Sequence, residues 1–240
     1  MIIILLIFCV GEIYAQQVWN LKTGSSLRKS LKDTSSIYIL NGEAPSAVIT
    51  DKKDIFCVGA SWSAESHSIA ARIDSNGNFL WNNVQLSIPQ NPLDVDLNAY
   101  ILPRSAGGVY FAFDYWEYRG TVDQLEIYAF YPHIQYVDAS GKVKWGPTGK
   151  RLTSMVVDYQ NGASIQHINF ATDGDIMVYW NWVGASSGNQ YDYGTFVQKV
   201  DPTSGEFKFE TTGKRLLNFR ASPLIQSPNG YIYIKAAVIR

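Results

Sequence analysis

Residues Tyr136–Trp145 read YVDASGKVKW, and the pattern occurs twice more, as RIDSNGNFLW at Arg72–Trp81 and KVDPTSGEFKF at Lys199–Phe209. Gly77, Gly141 and Gly205 stand 64 residues apart, and so do the aromatics Trp81, Trp145 and Phe209. Asp74, Asp138 and Asp201 are spaced by 64 and then 63, because the third copy carries one extra turn residue. Gly149-Lys150-Arg151-Leu152 also recurs 64 positions on, as Gly213-Lys214-Arg215-Leu216. An aspartate that accepts turn N–H groups, followed by a glycine free to take positive φ, suits a bulged hairpin. One carboxylate per turn is too few oxygens for calcium, so the three aspartates read as turn formers. The ring four residues after each glycine is expected to pack between neighbouring units, where burial stabilises by roughly 3 kcal/mol.

A second series runs alongside the first. Asp54, Gly108 and Gly174 each open an apolar run that reaches Trp62, Trp116 and Trp182 eight positions later, and Gly230 opens a fourth, Tyr231–Ile234. Its intervals are 54, 66 and 56 residues, as expected where loops vary on a repeated scaffold. The segments are short and rich in β-branched and aromatic residues, with no useful helical periodicity. Four antiparallel strands per repeat predict an all-β chain: a β-propeller of four-stranded blades at about 46–92, 93–157 and 158–218, with a partial blade at 219–240. About three and a half blades fall short of the usual 4–8, which leaves several forms open. The chain is the leading part of a longer propeller, or an irregular four-blade ring, or a partial sheet stack whose open edges favour self-association. Within residues 16–45, Trp19, Gly24 and Leu27 echo Trp145, Gly149 and Leu152, the pattern of a ring-closing outer strand.

The motif Asp-x-x-(x)-Gly-x-x-x-Trp resembles the repeat of quinoprotein-type (PQQ-like) β-propellers, most closely at Asp201–Phe209 (DPTSGEFKF). It is also similar to the long propeller repeats, with Asp-x-Asn-Gly-like turns, of secreted Bacteroidetes surface proteins. The sialidase Asp-box differs, with one residue rather than two between Asp and Gly. The resemblance covers about residues 46–240 and implies blades in an exported protein, without carrying over an active site.

The amino terminus agrees with export. Ile2–Val10 is a nine-residue apolar run followed by Gly11–Ala15 (GEIYA), which reads as a signal peptide over residues 1–15 and predicts a secreted or cell-surface protein. The run is too short for a transmembrane segment, which takes ~20 apolar residues; the other reading is a buried first strand. Cleavage after Ala15 removes Cys9 and leaves Cys57, set in Ile55–Val58 (IFCV), as a small buried hydrophobe with no disulfide partner. With 20 Lys+Arg against 21 Asp+Glu, the chain lacks the basic excess expected of a nucleic-acid binder.

Catalytic and metal motifs do not emerge. His67, His133 and His167 have no zinc spacing and read as surface or capped histidines. No nucleophile elbow, dinucleotide fingerprint or phosphate loop occurs, so no catalytic residue, metal or cofactor is assigned. Asp114, Glu117, Asp123 and Glu126 fix no carboxylate pair of the kind glycoside hydrolysis uses, and read as a solvated loop.

Aromatics are the stronger signal. From Trp62 to Trp81 is 19 residues, but Trp116 to Trp145 is 29 and Trp182 to Phe209 is 27. The added length falls in hairpins rich in aromatics: Tyr115, Trp116, Tyr118, Tyr128 and Tyr131 in unit two, and Trp180, Trp182, Tyr191 and Tyr193 in unit three. Tyr118, Tyr191 and Tyr193 are therefore candidate ligand contacts. Trp116 and Trp182, in register with Trp62, read either as blade packing or as further contacts. The expected function is a non-catalytic module that binds a glycan or a protein partner. The alternative is the leading part of a propeller enzyme, a polysaccharide hydrolase or lyase or a quinone-dependent dehydrogenase, with catalytic residues outside this chain.

Overall fold

The computed structural model describes residues 37–38, 47–50, 52–61, 67–89, 91–155, 162–185, 191–220, 224–226 and 232–234. Every regular element among them is a strand, so the chain is all-β. Strands β1 (Ile37–Tyr38) and β2 (Ala47–Ile49) lie along one edge of β3 (Ile55–Ser61), and β4 (Ser68–Ile73) and β5 (Phe79–Gln85) follow on the other side. A second antiparallel run is β6 (Val95–Pro103), β7 (Val109–Val122), β8 (Leu125–Val137) and β9 (Lys150–Arg151). A third is β10 (Gly162–Phe170), β11 (Ile176–Ala185), β12 (Tyr191–Val200) and β13 (Lys214–Leu217). The pair β14 (Leu224–Gln226) and β15 (Ile232–Ile234) follows. One parallel contact, Gly162 opposite Phe130, joins the second and third runs.

Alternation along β7 explains how the runs pack. Val109, Phe111, Phe113 and Tyr115 join Phe56, Val58 and Trp81 of the first run in one core. Tyr110 and Ala112, one residue out of phase, join Ile134 and meet Ile165, Ile176, Val178 and Trp180 of the third run in another. Since successive side chains point to opposite faces, a strand buried on both faces must be apolar throughout, as VYFAF is. Tyr110, Phe111, Phe113 and Trp180 are fully buried, each stabilising by about 2–3 kcal/mol.

The repeated turns place their side chains alike. Asp74 Oδ1 accepts the N–H groups of Asn76 and Asn78, Asp138 Oδ1 those of Ser140 and Lys142, and Asp201 Oδ1 those of Thr203 and Ser204. Gly77, Gly141 and Gly205 take φ of 85°, 86° and 68°. The rings then bridge units: an ideal Cβ at Gly141 would stand 2.8 Å from Trp81, and one at Gly205 2.8 Å from Trp145.

The fourth strand departs from expectation. Trp81 lies within β5, but Trp145 and Phe209 fall before β9 and β13. A buried glutamine three residues ahead of the turn aspartate accounts for the break. Gln135 Oε1 accepts the Trp145 N–H at 2.9 Å, and Gln198 Oε1 accepts the Phe209 N–H at 3.2 Å. Their Nε2 groups donate to the carbonyls of Gly146 and Glu210, and that of Gln135 also to Leu86 in the first run. The side-chain amide thus takes the place of ladder hydrogen bonds. Unit one has Ala71 at this position and keeps a continuous strand.

Candidate functional site

The hairpin of β7 and β8 extends beyond its neighbours. Past Trp116, which pairs with Val95 of β6, β7 pairs with β8 alone as far as Val122 opposite Leu125. The two-residue turn Asp123-Gln124 has positive φ at both positions, 51° and 67°, the geometry that matches strand twist. A bulge at Arg119, with Gly120 at φ 134°, shifts the register by one residue.

One face of this hairpin is aromatic. Trp116 stands opposite Phe130, and Tyr118 opposite Tyr128, all four partly exposed. The Trp116 and Phe130 rings meet edge to face at 4.6 Å and 81°, Trp116 and Tyr128 at 6.0 Å and 57°, Tyr118 and Tyr128 at 5.8 Å and 68°. Tyr118 and Thr121 share a hydroxyl hydrogen bond of 2.6 Å, and the Tyr128 phenol donates to Glu126 Oε2 at 2.7 Å. Burial first, and then that carboxylate, push the Tyr128 phenol up to about 12. Beneath the hairpin, buried Asp94 accepts the Tyr118 N–H and the Tyr115 hydroxyl, each at 2.8 Å.

The opposite face is closed by the chain's own groups. Arg151 lies 3.4 Å over the Tyr131 ring, while Arg119 donates to the Tyr131 hydroxyl at 2.7 Å and pairs with Glu117 at 2.9 Å. Tyr115 stacks on His133 at 4.8 Å.

Trp116 and Tyr118 thus lie together, but the other candidates do not join them. Trp182 is 7% exposed and belongs to the core between the second and third runs, as its packing reading expects, and not to the exposed face that carries Trp116. Ile176 follows its turn as Val109 follows the earlier one, so Trp182 occupies the register position of Tyr115, and a one-residue shift turns it to the other face. Tyr193 is 40% exposed but lies on β12 opposite Val183, in the third run. Trp62 and the Tyr191 side chain fall outside the described residues.

The acidic residues of unit two separate into distinct roles. Asp114 is buried and accepts the Ile165 N–H at 2.7 Å and the Ser164 hydroxyl at 3.0 Å, tying β7 to β10. Glu117 is in the ion pair on the far face, and Asp123 forms the turn. His67 and His133 are capped but buried rather than on the surface: His67 Nδ1 lies 3.2 Å from Asp96 Oδ1, and His133 Nδ1 donates to the Thr148 carbonyl at 2.8 Å. Burial pushes the Cys57 thiol up to about 11, the setting of an unreactive cysteine. Among the described residues, no group of three or more His, Cys, Asp or Glu is placed to hold a metal, and no helix is long and apolar enough to cross a membrane.

Phe130 and Asp94 were not anticipated. Phe130 was legible in principle: Tyr128-x-Phe130 alternates as Trp116-x-Tyr118 does, on either side of the Asp123-Gln124 turn. Asp94 sits on a neighbouring strand's approach and has no local pattern to mark it.

No family model matches the chain, and no curated protein matches it in sequence. Among solved structures it is similar to an ulvan lyase of polysaccharide lyase family PL25, with TM-score 0.48 and 10% identity over 70% of this chain and 44% of that one. An α-L-arabinanase from Penicillium chrysogenum, complexed with arabinobiose, gives 0.47 and 12% over 80% of this chain and 51% of that one. A protein of unknown function from Dyadobacter fermentans gives 0.49 and 10% over 79% and 61%. The chain spans less than two thirds of the length of each.

Proposed function

We propose that this chain is an exported module of β-propeller type, its antiparallel runs being blades, and that it binds a glycan on the aromatic face of the β7–β8 hairpin. The observation that carries this reading is the partly exposed set Trp116, Tyr118, Tyr128 and Phe130, gathered on an element that outruns the strands beside it. Sugars present apolar C–H faces bordered by hydroxyls. Aromatic rings edged by the hydroxyls of Tyr118, Thr121 and Tyr128 and the Glu126 carboxylate complement both parts. A fully paired hairpin is also already ordered, which lowers the entropy lost on binding. Export is supported by the apolar Ile2–Val10 run.

Glycan-array screening followed by affinity electrophoresis tests the reading. Trp116→Ala and Tyr118→Ala should each weaken retardation at least about tenfold, while Tyr193→Ala leaves it unchanged and all three keep the wild-type circular dichroism. Loss of binding in Tyr193→Ala alone would move the site to the third run. Turnover of the bound polymer would favour the propeller-enzyme alternative.

A further inference from the structure

We infer that the glycan taken by this hairpin carries a protonated amine, as an unacetylated amino sugar does; the inference rests on the glycan-binding reading. It begins from a difference between the two faces. On the far face, the Tyr131 ring and Glu117 are already matched with cations of this chain, Arg151 and Arg119. On the near face, no Lys or Arg among the described residues lies over Trp116, Tyr118, Tyr128 or Phe130. A carboxylate is nonetheless present there. Glu126, exposed, reaches the Tyr128 hydroxyl, while buried Asp94 lies under the hairpin, accepts the Tyr118 N–H and the hydroxyl of far-face Tyr115, and has no ion-pair partner among the described residues.

Ring geometry points the same way. The rings are inclined to one another, at 57°, 68° and 81°. Inclined rings form walls whose negative faces attract a cation. Glu126 adds ordinary Coulomb attraction beside those walls, and a bound amine would give these rings the cation that Arg151 already gives Tyr131.

The test compares a β-1,4-linked glucosamine hexasaccharide with its fully N-acetylated counterpart, by calorimetry at mildly acidic pH. Wild-type protein should bind the amine form about tenfold more tightly, with a preference that shrinks as salt is added. Glu126→Gln should cut the preference to about two- to threefold, whereas Glu117→Gln, on the far face, should leave it intact. Equal affinity for the two sugars, or an unchanged preference in Glu126→Gln, overturns the inference while the glycan reading stands. Failure of the array to find any glycan, with a lysine-rich peptide bound through Glu126 instead, overturns both and makes the partner a protein.

Discussion

Gln135 Oε1 accepts the backbone N–H of Trp145 at 2.9 Å, while its Nε2 reaches the carbonyls of Gly146 at 2.8 Å and Leu86 at 3.2 Å. One fully buried side chain thereby replaces a stretch of strand and ties two units together.

Gln135→Leu keeps the volume and removes every one of these bonds. It leaves buried backbone groups unpaired, and should lower unfolding free energy by about 3 kcal/mol in urea titrations. Gln198→Leu, whose amide reaches no other run among the described residues, should cost less. Equal losses would mean that the inter-unit bond to Leu86 contributes nothing.

Gly141→Ala confronts two obstacles at once. Its φ of 86° disfavours any Cβ, and Trp81 occupies the space where the methyl would go. A loss of about 2–4 kcal/mol, with altered tryptophan emission, is expected. Gly120→Ala, with open space around it, should cost about 1 kcal/mol and leave the emission unchanged.

His133 sets one limit of acid stability. Burial pushes its imidazole from 6.5 down to about 4, so between those values the unfolded chain holds a proton that the native state refuses. Stability should therefore fall as pH drops from about 6.5 to about 4, and this contribution should level off below. His133→Gln, which can still donate to the Thr148 carbonyl, should flatten that slope, although His167, also lowered by burial, continues to contribute with the same sign.

Asp201 acts at lower pH with the same sign. The N–H groups of Ser204 and Thr203 hold its carboxyl at about 2 instead of 3.8, so its contribution is present near neutrality and is lost as pH falls through that interval. Asp201→Asn can still accept from the turn, and should show a shallower decline below about pH 4 in the denaturation midpoint. An undiminished slope would assign the acid sensitivity elsewhere.

The turn motif made the repeat legible because aspartate, glycine and a ring act within ten residues of one another. The strand register was harder to read. Counting eight residues from Gly174 to Trp182 matched the count from Gly108 to Trp116, yet the first residue after each turn is Ile176 in one case and Val109 in the other. That single residue decides which face of a strand is buried, so Trp182 is core and Trp116 is not. Gln135 and Gln198 recur 63 residues apart, but glutamine signals a surface more often than a core, and its role depends on a strand break visible only in three dimensions. Tyr118 and Trp116 were accessible to sequence reasoning through composition alone; their company with Phe130, Glu126 and Asp94 depended on the hairpin's turn and bulge.

Hydrogen–deuterium exchange with a bound glycan tests the central claim most directly. Saturating ligand should slow exchange in peptides covering Asp114–Pro132 and leave those from β11 and β12 unchanged. Protection confined to the third run, or absent from the hairpin altogether, would contradict the assignment of the binding face to β7 and β8.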